Sequence, residues 1–453
     1  MTWPEPSTRV HVVGVGGAGM SGVARLLVGA GCVVSGSDAA PSRELDELRA
    51  AGVAVFVGHS ADHGADAEVV LWSPAVGRDN VELAAGRERG ARMVDRAELL
   101  GELGRRFRVV GLTGTHGKTT ATSMMAHVQA AAGRDAARLV GAPVPGLGAN
   151  GHFGPDGLVL EVDESFGTFA RLAPHALGLL NVEADHLDHY GSVAALEAAF
   201  VALVERTTGP VVAWVDDEGA ARVARGARRG VDSVAEVAAS TWRVSRVRVT
   251  REGSSFTLTG PGVALEVHLA VAGRHAVADA AVVAALGLAD GLDATAVTAG
   301  LAAFRGVPRR FERRGSWRGV DIFEDYAHLP GEIRATLDAL RSIGFARVTA
   351  VFQPHRVTRT LALGAAFAPA FDRADHVVIT DLYLAGEPNP DAVTGEAVAG
   401  PLRERRGEDV VYASTFEEVA AALVALHDRS DVVVLLGAGD VARVIDHLPE
   451  ALT

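Results

Sequence analysis

The stretch VVGLTGTHGKTT, residues 109–120, passes from a short apolar strand through a glycine loop into a helix expected from Thr119 to about Ala132. Leu112 stands where the usual GxxxxGK[ST] pattern has its first glycine, so the match is physical rather than formal. Gly114 and Gly117 let the backbone fold around phosphate oxygens. Lys118 can neutralise β and γ charge, and the Thr119 hydroxyl is placed to bind Mg²⁺. Lys118 is also the single lysine of the chain, every other basic residue except histidine being arginine. A coding bias toward arginine that spared one lysine in this loop points to a nucleoside triphosphate site.

In an open parallel sheet, ligands bind beyond the carboxyl ends of the strands, so the neighbouring strand ends should face the same phosphates. LVLEVDESFGTF ends one strand, Leu158 to Val162, with Asp163 and Glu164. LLNVEADHLDHYGS ends the next, Leu177 to Val182, with Asp185, His186, Asp188 and His189. Singly each is an ordinary solvated or capping residue. Jointly they suit metal-assisted phosphoryl transfer with Mg²⁺, and the histidines make Mn²⁺ an acceptable substitute.

Working outward, residues 1–104 alternate short apolar runs with helical patterns. Strands are expected at Val10 to Val15, Val33 to Ser35, Val53 to Val57 and Val69 to Ser73, which reads as a parallel α/β sheet. VHVVGVGGAGMSGVARLL places Gly14, Gly16 and Gly19 in GxGxxG spacing after the first strand, and Asp38 ends the next strand. That arrangement binds NAD or any other diphosphate, including that of a UDP-sugar. Between about Arg243 and Val271 the period changes to two, suggesting antiparallel strands appended to the central block, and a helix returns at Ala276 to Leu288. The Gly-, Pro- and Arg-rich segment Phe304 to Gly315 reads as a boundary. After it, strands are expected near Val320 to Phe323, Val348 to Phe352, Val377 to Thr380 and Val432 to Leu436. Three α/β domains result: 1–104, 105–305 and 306–453.

The length of 453 residues agrees with about three domains. A hydrophobic share of 48% with 22% charged residues is that of a globular chain. A formal net charge of −13 argues against generic binding to nucleic acid or acidic membrane while leaving room for a local basic pocket. The one cysteine, Cys32, cannot form an intramolecular disulfide and reads as core filler. The start MTWPEPSTRV lacks the pattern of a signal peptide, and no apolar run approaches a membrane span, so a cytoplasmic protein is expected.

The chain resembles the Mur ligases over nearly its whole length, and most closely those that join L-alanine to UDP-N-acetylmuramate. GVGGAGMSG, GHSAD with SPAVGRDN, TGTHGKTT, DESFGTF, NVEADHLDHYGS, GRHA, RRFE, DYAHLPGE, FQPHRVTRT, DLYLAGEP and GAGD occur in the family's order. The resemblance implies a Rossmann-like UDP-binding domain, a central P-loop ATPase-like domain and a Rossmann-like C-terminal domain. It implies that the first loop, with Gly14, Gly16, Gly17, Ala18, Gly19, Met20, Ser21, Asp38 and Ser73, holds UDP rather than NAD. ATP would be held by Gly114, Thr115, His116, Gly117, Lys118, Thr119 and Thr120, with His275, Arg310 and Asp325. Thr119, Glu164 and His186 would bind metal, and Lys118, Glu164, His186 and His328 would serve catalysis. Tyr326, His355, Arg356 and Arg359 would meet substrate, the last two sharing one face at the start of a helix and gripping the alanine carboxylate. Asp325, Tyr326 and His328 would come from the third domain to complete a closed site.

By the same resemblance, the partners are the two small substrates, and the state is a monomer or weak homodimer. Ala276 and Asp279 stand where relatives often have asparagines. Leu329 replaces a histidine and Gly331 a threonine, and no lysine follows the ADH motif to be carbamylated. The competing readings are a ligase for another amino acid or peptide, a non-catalytic nucleotide or UDP-sugar binder, and a NAD dehydrogenase. The last has no need of the Lys118 loop.

Overall fold

The structure is a computed structural model that describes residues 5–73 and 75–453, the Asp188 side chain excepted. Three sheets organise it. The first runs β3-β2-β1-β4-β5, all parallel, with β1 Arg9–Val13, β2 Val33–Asp38, β3 Ala54–Val57, β4 Val69–Trp72 and β5 Arg92–Asp95. The interior residues of β1 are buried on both faces and are apolar except for His11, as central parallel strands largely are. β5 has the sequence RMVD, too short and polar to show a strand period, and sequence reading passed over it.

The second sheet has ten strands in the order β15-β14-β13-β12-β11-β10-β6-β9-β7-β8. They are β6 Val109–Thr113, β7 Ala136–Leu139, β8 Gly151–Pro155, β9 Leu158–Val162, β10 Ala176–Leu179, β11 Val211–Trp214, β12 Asp232–Ala235, β13 Trp242–Val249, β14 Ser254–Gly260 and β15 Val263–Leu269. The period-two region is antiparallel between β14 and β15, but β13 joins β12 in parallel and so continues the central sheet. The third sheet runs β16-β17-β21-β18-β19-β20: β16 Glu312–Trp317, β17 Val320–Asp325, β18 Val348–Phe352, β19 His376–Ile379, β20 Val410–Tyr412 and β21 Val432–Leu436. Only β16 is antiparallel to its neighbour. It begins inside the segment read as a boundary.

Two compact units carry these sheets. Residues 5–248, 254–271 and 275–305 form one, holding the first two sheets over a shared apolar core. Residues 249–253, 272–274 and 306–453 form the other. In the first unit, helix Ala18–Gly29 leans on β8. Its Arg25 donates to Asn150 Oδ1 at 2.7 Å, while Asn150 Nδ2 donates to the Ala18 carbonyl at 2.8 Å. Cys32 is buried in the core just past this helix, as expected. No helix among the described residues is long and apolar enough to cross a membrane.

Register decides where the loops meet. β1 lies between β2 and β4, with Val13 opposite Ser37 and Trp72, so the Gly14 loop, Asp38 and Ser73 leave the sheet at one edge. β6 lies between β9 and β10, with Thr113 opposite Val162 and Leu179, so the Gly114 loop emerges beside Asp163 and the Leu180–His186 segment. In the second unit β21 separates β17 from β18, with Leu436 opposite Asp325 and Phe352.

Candidate active site

Several helices are capped by a side chain: Ser42, Asp95, Ser192 and Asp217 each accept a hydrogen bond from the backbone three residues on. The two glycine-loop helices, Ala18–Gly29 and Lys118–Ala131, have Gly17 and Gly117 at that position and no side-chain cap. Their first N–H groups and the positive end of each helix dipole are thus available to an anion.

At the first loop, Gly14, Gly17, Asp38 and Ser73 line one cleft of about 610 Å³ together with His59 and Asn80. Asp38 turns its carboxylate back to accept from the Gly16 N–H at 2.9 Å. Gly19 packs under the Arg96 guanidinium, which would lie 2.9 Å from a Cβ there. Met20 and Ser21 are not in the cleft lining. Both are buried, and the Ser21 hydroxyl accepts from Asn150 at 3.0 Å, because their helix face turns toward β8.

At the second loop, the Lys118 ammonium is enclosed. It donates to the Gly114 carbonyl at 2.8 Å, to the Thr115 carbonyl at 3.1 Å and to both Glu164 oxygens at 2.8 and 3.0 Å. Burial pulls the ammonium down, but Glu164 and Asp163 outweigh it and hold Lys118 above its ordinary value. The Asp163 carboxyl, pushed up by burial, is drawn below its ordinary value by Lys118 and Arg96. Asp163, Glu164 and His186 each offer a ligand atom, all within 4.8 Å of one another. Two carboxylates and one imidazole around a common point fit a divalent cation, and the oxygen majority fits Mg²⁺. Tyr190 donates to the Glu164 carbonyl at 2.7 Å and steadies the acidic turn.

Two participants, Glu161 and Asn181, were not recognised from sequence, and Asp279 was noted only as a departure from the family's asparagines. Glu161, on β9, accepts from the Thr119 hydroxyl at 3.1 Å and from the Gly141 N–H at 2.6 Å. A lone charge inside the apolar strand LVLEV was the signal available. Asn181 accepts from the His116 N–H at 2.7 Å and donates to its carbonyl at 3.0 Å, clamping the loop. Asp279 is buried against Gly117, where a Cβ would lie 2.5 Å from its Oδ1. Burial raises its pKa well above the ordinary 3.8. His275, one turn earlier on the same helix, is held neutral by burial, its pKa lowered to about 4. Asp185 stands 3.7 Å from His186, and the Asp188 side chain lies outside the described residues.

The second unit gathers most of its expected residues. The Arg310 guanidinium sits 4.8 Å over the Tyr326 ring. Asp325 accepts from the Phe311 and Ala327 N–H groups at 2.7 and 2.8 Å, and burial raises its pKa to about 6. The His328 and His355 rings are 6.0 Å apart, and His355 stacks on Tyr383 at 5.5 Å. Arg359 donates to His355 Nδ1 at 3.1 Å. Burial and that guanidinium lower the His355 pKa to about 4, which agrees with an acceptor nitrogen. One expectation fails. Arg356 and Arg359 do not share a helix face: Arg356 precedes helix Val357–Leu363 with φ 71°, and its guanidinium reaches toward Glu387 at 3.9 Å. The preceding Pro354 and the pairing of His355 with Tyr383 fix this turn outside the helix.

Family models match in chain order: the Mur ligase family catalytic domain over residues 9–108, the Mur ligase middle domain over 112–287, and the Mur ligase glutamate ligase domain over 309–439. The UDP-N-acetylmuramate–L-alanine ligase of Kineococcus radiotolerans is 43% identical, covering 96% of this chain and 94% of that one. The chain belongs to the Mur ligase family. The enzyme of the same name from Brucella anthropi is 39% identical, covering 98% and 97% of the two chains. The crystal structure of UDP-N-acetylmuramate-alanine ligase from Thermotoga maritima superposes with a TM-score of 0.82 at 29% identity, covering 97% of this chain and 98% of that one. As a Mur ligase the chain is an ATP-dependent ligase, and its three-sheet α/β architecture is that of the family.

Proposed function

We propose that this Mur ligase joins L-alanine to the lactyl carboxylate of UDP-N-acetylmuramate, converting ATP to ADP and phosphate, in peptidoglycan synthesis. The observation that carries the reading is the Lys118 ammonium, held by loop carbonyls and Glu164 beside the Asp163–Glu164–His186 triplet. A carboxylate is a poor acyl electrophile. Its oxygen attacks the γ-phosphorus, ADP leaves, and an acyl phosphate results. The alanine nitrogen then attacks the acyl carbon, phosphate leaves with the bonding pair, and the nitrogen gives up its proton. Negative charge grows in both steps, so cationic groups fixed beforehand lower both barriers.

Lys118 would exchange its hold on Glu164 for the nucleotide phosphates. Asp163, Glu164, His186 and Thr119 would hold Mg²⁺ or Mn²⁺, which when bound supplies charge neutralisation at the phosphates. The first cleft would take the UDP moiety through Gly14, Gly16, Gly17, Ala18 and Gly19, with Asp38 and Ser73 at its sides. Residues 1–104, 105–305 and 306–453 would serve UDP-sugar, ATP and alanine respectively. In the last segment Tyr326, His328, His355 and Arg359 are the alanine-side candidates. The relatives' shared name supports the substrate pair.

The test is ADP release from protein, ATP, Mg²⁺ and UDP-N-acetylmuramate offered single amino acids. L-Alanine should give the fastest release, with glycine and L-serine slower by about ten-fold or more, since one methyl group discriminates only that far. Binding of both nucleotides without turnover would overturn the reading in favour of a non-catalytic relative.

A further inference from the structure

Another buried carboxylate lies outside the phosphate loop. Glu82, in the first turn of helix Val81–Glu88, has a side chain with 0% exposure, yet it is ringed by histidines. It accepts from His63 Nδ1 at 2.7 Å, from His59 Nδ1 at 3.1 Å, from the Ser60 N–H at 3.3 Å and from the Ser37 hydroxyl, with His11 Nε2 at 3.6 Å. Burial pushes Glu82 up, but these donors outweigh it and hold its pKa at about 2, so it is ionised. A buried charge is costly to keep, and this one has enough donors to keep it.

The partners are held as firmly. His63 stacks on Phe56 with centroids 4.2 Å apart, and the Ser37 hydroxyl, 3.3 Å from His59 Nδ1, spends its proton on Glu82. With Nδ1 turned inward to a pure acceptor, the neutral His59 ring carries its one proton there, which leaves Nε2 an acceptor. His59 lines the first cleft beside Asp38. It follows β3, while the phosphate-facing Gly14 loop follows β1 with β2 between, so His59 stands on the side away from the diphosphate.

We infer that Glu82 is a positioning residue that fixes the Nδ1–H tautomer of His59 and presents its Nε2 to a hydrogen-bond donor of the bound nucleoside. Two donors in uridine qualify, the imide N–H of the base and a ribose hydroxyl. The inference rests on the reading of this cleft as the UDP site.

Nitrogen NMR of the full chain reports the tautomer directly, and calorimetry with UDP, CDP and 2′-deoxy-UDP reports the donor. The expected result is His59 protonated at Nδ1 in the unliganded protein, with Nε2 shifting when UDP binds. CDP, which lacks the imide proton, or 2′-deoxy-UDP, which lacks one hydroxyl, should bind about ten-fold more weakly. Glu82→Gln should mix the tautomers and weaken UDP about ten-fold, raising KM for the UDP-sugar while leaving kcat and the KM for ATP unchanged. His59→Asn, a change at the partly exposed ring, should weaken UDP to the same degree without altering the fold. His59 protonated at Nε2, or full UDP affinity in both variants, overturns the inference. Failure of the unaltered protein to bind UDP at all would instead sink the reading of the cleft.

Discussion

The two glycine loops of the first unit share a plan and differ in what surrounds it. Each follows a central parallel strand, opens a helix capped by glycine alone, and meets acidic residues from a neighbouring strand end. At the first loop Asp38 is satisfied by a backbone N–H and no lysine is present. At the second, a buried lysine, two carboxylates and an imidazole converge. The same backbone can therefore hold a diphosphate passively or prepare a phosphoryl group for transfer. At the second loop a lysine in direct contact with one carboxylate and close to another is able to respond as the reaction proceeds.

The largest expected effect breaks this contrast at Lys118. Lys118→Ala should reduce ADP formation by at least about a hundred-fold while UDP-sugar affinity, measured by calorimetry, stays within about two-fold. Equal loss of both in a folded variant would show the loops to be one site.

Next in size is a pair of glycine substitutions. Gly117→Ala puts a Cβ at φ 81° and 2.5 Å from Asp279, so thermal denaturation should show a loss of about 2 kcal/mol or more, with nucleotide binding abolished. Gly16→Ala meets the far end of the Asp38 side chain at 2.9 Å, which can rotate, and Leu45 Cδ2 at an ordinary 3.4 Å. Its stability cost should stay below about 1 kcal/mol while UDP binding weakens.

Smaller again is the effect of pH. The folded chain keeps the Asp279 proton that the unfolded chain releases above about its ordinary 3.8, so this group's contribution falls as pH rises from there until it ionises in the folded state as well. Asp279→Asn should therefore flatten the decline of Tm between pH 4 and neutrality and be the more stable form at pH 7. An unchanged profile would place the carboxyl in water. The smallest change is Asp38→Ala, which releases one N–H. UDP affinity should move by about three-fold or less, with ATP affinity unaffected.

These contrasts were unevenly legible. Lys118, Thr119, Glu164 and His186 stood out because reactive residue types at successive strand ends are costly to place without purpose. Glu161 was hidden within a strand, and Glu82 within a helix. Each owes its role to partners distant in sequence, Gly141 and Thr119 in one case, His59 and His63 in the other. Arg356 was misread because helical spacing was assumed one residue too early, and a left-handed φ at a non-glycine residue leaves no mark in composition.

By itself the chain of residues determined three alternating α/β blocks, the two glycine loops and the types of group beside them, since hydrophobic period and glycine placement act over a few neighbours. Tertiary structure decided the strand order that sets β1 between β2 and β4 and β6 between β9 and β10. It also decided the pairing of Lys118 with Glu164 and the seating of a charged Glu82 among histidines. Those depend on burial and long-range register, where a carboxylate's cost in low dielectric is met only by donors that folding brings to it.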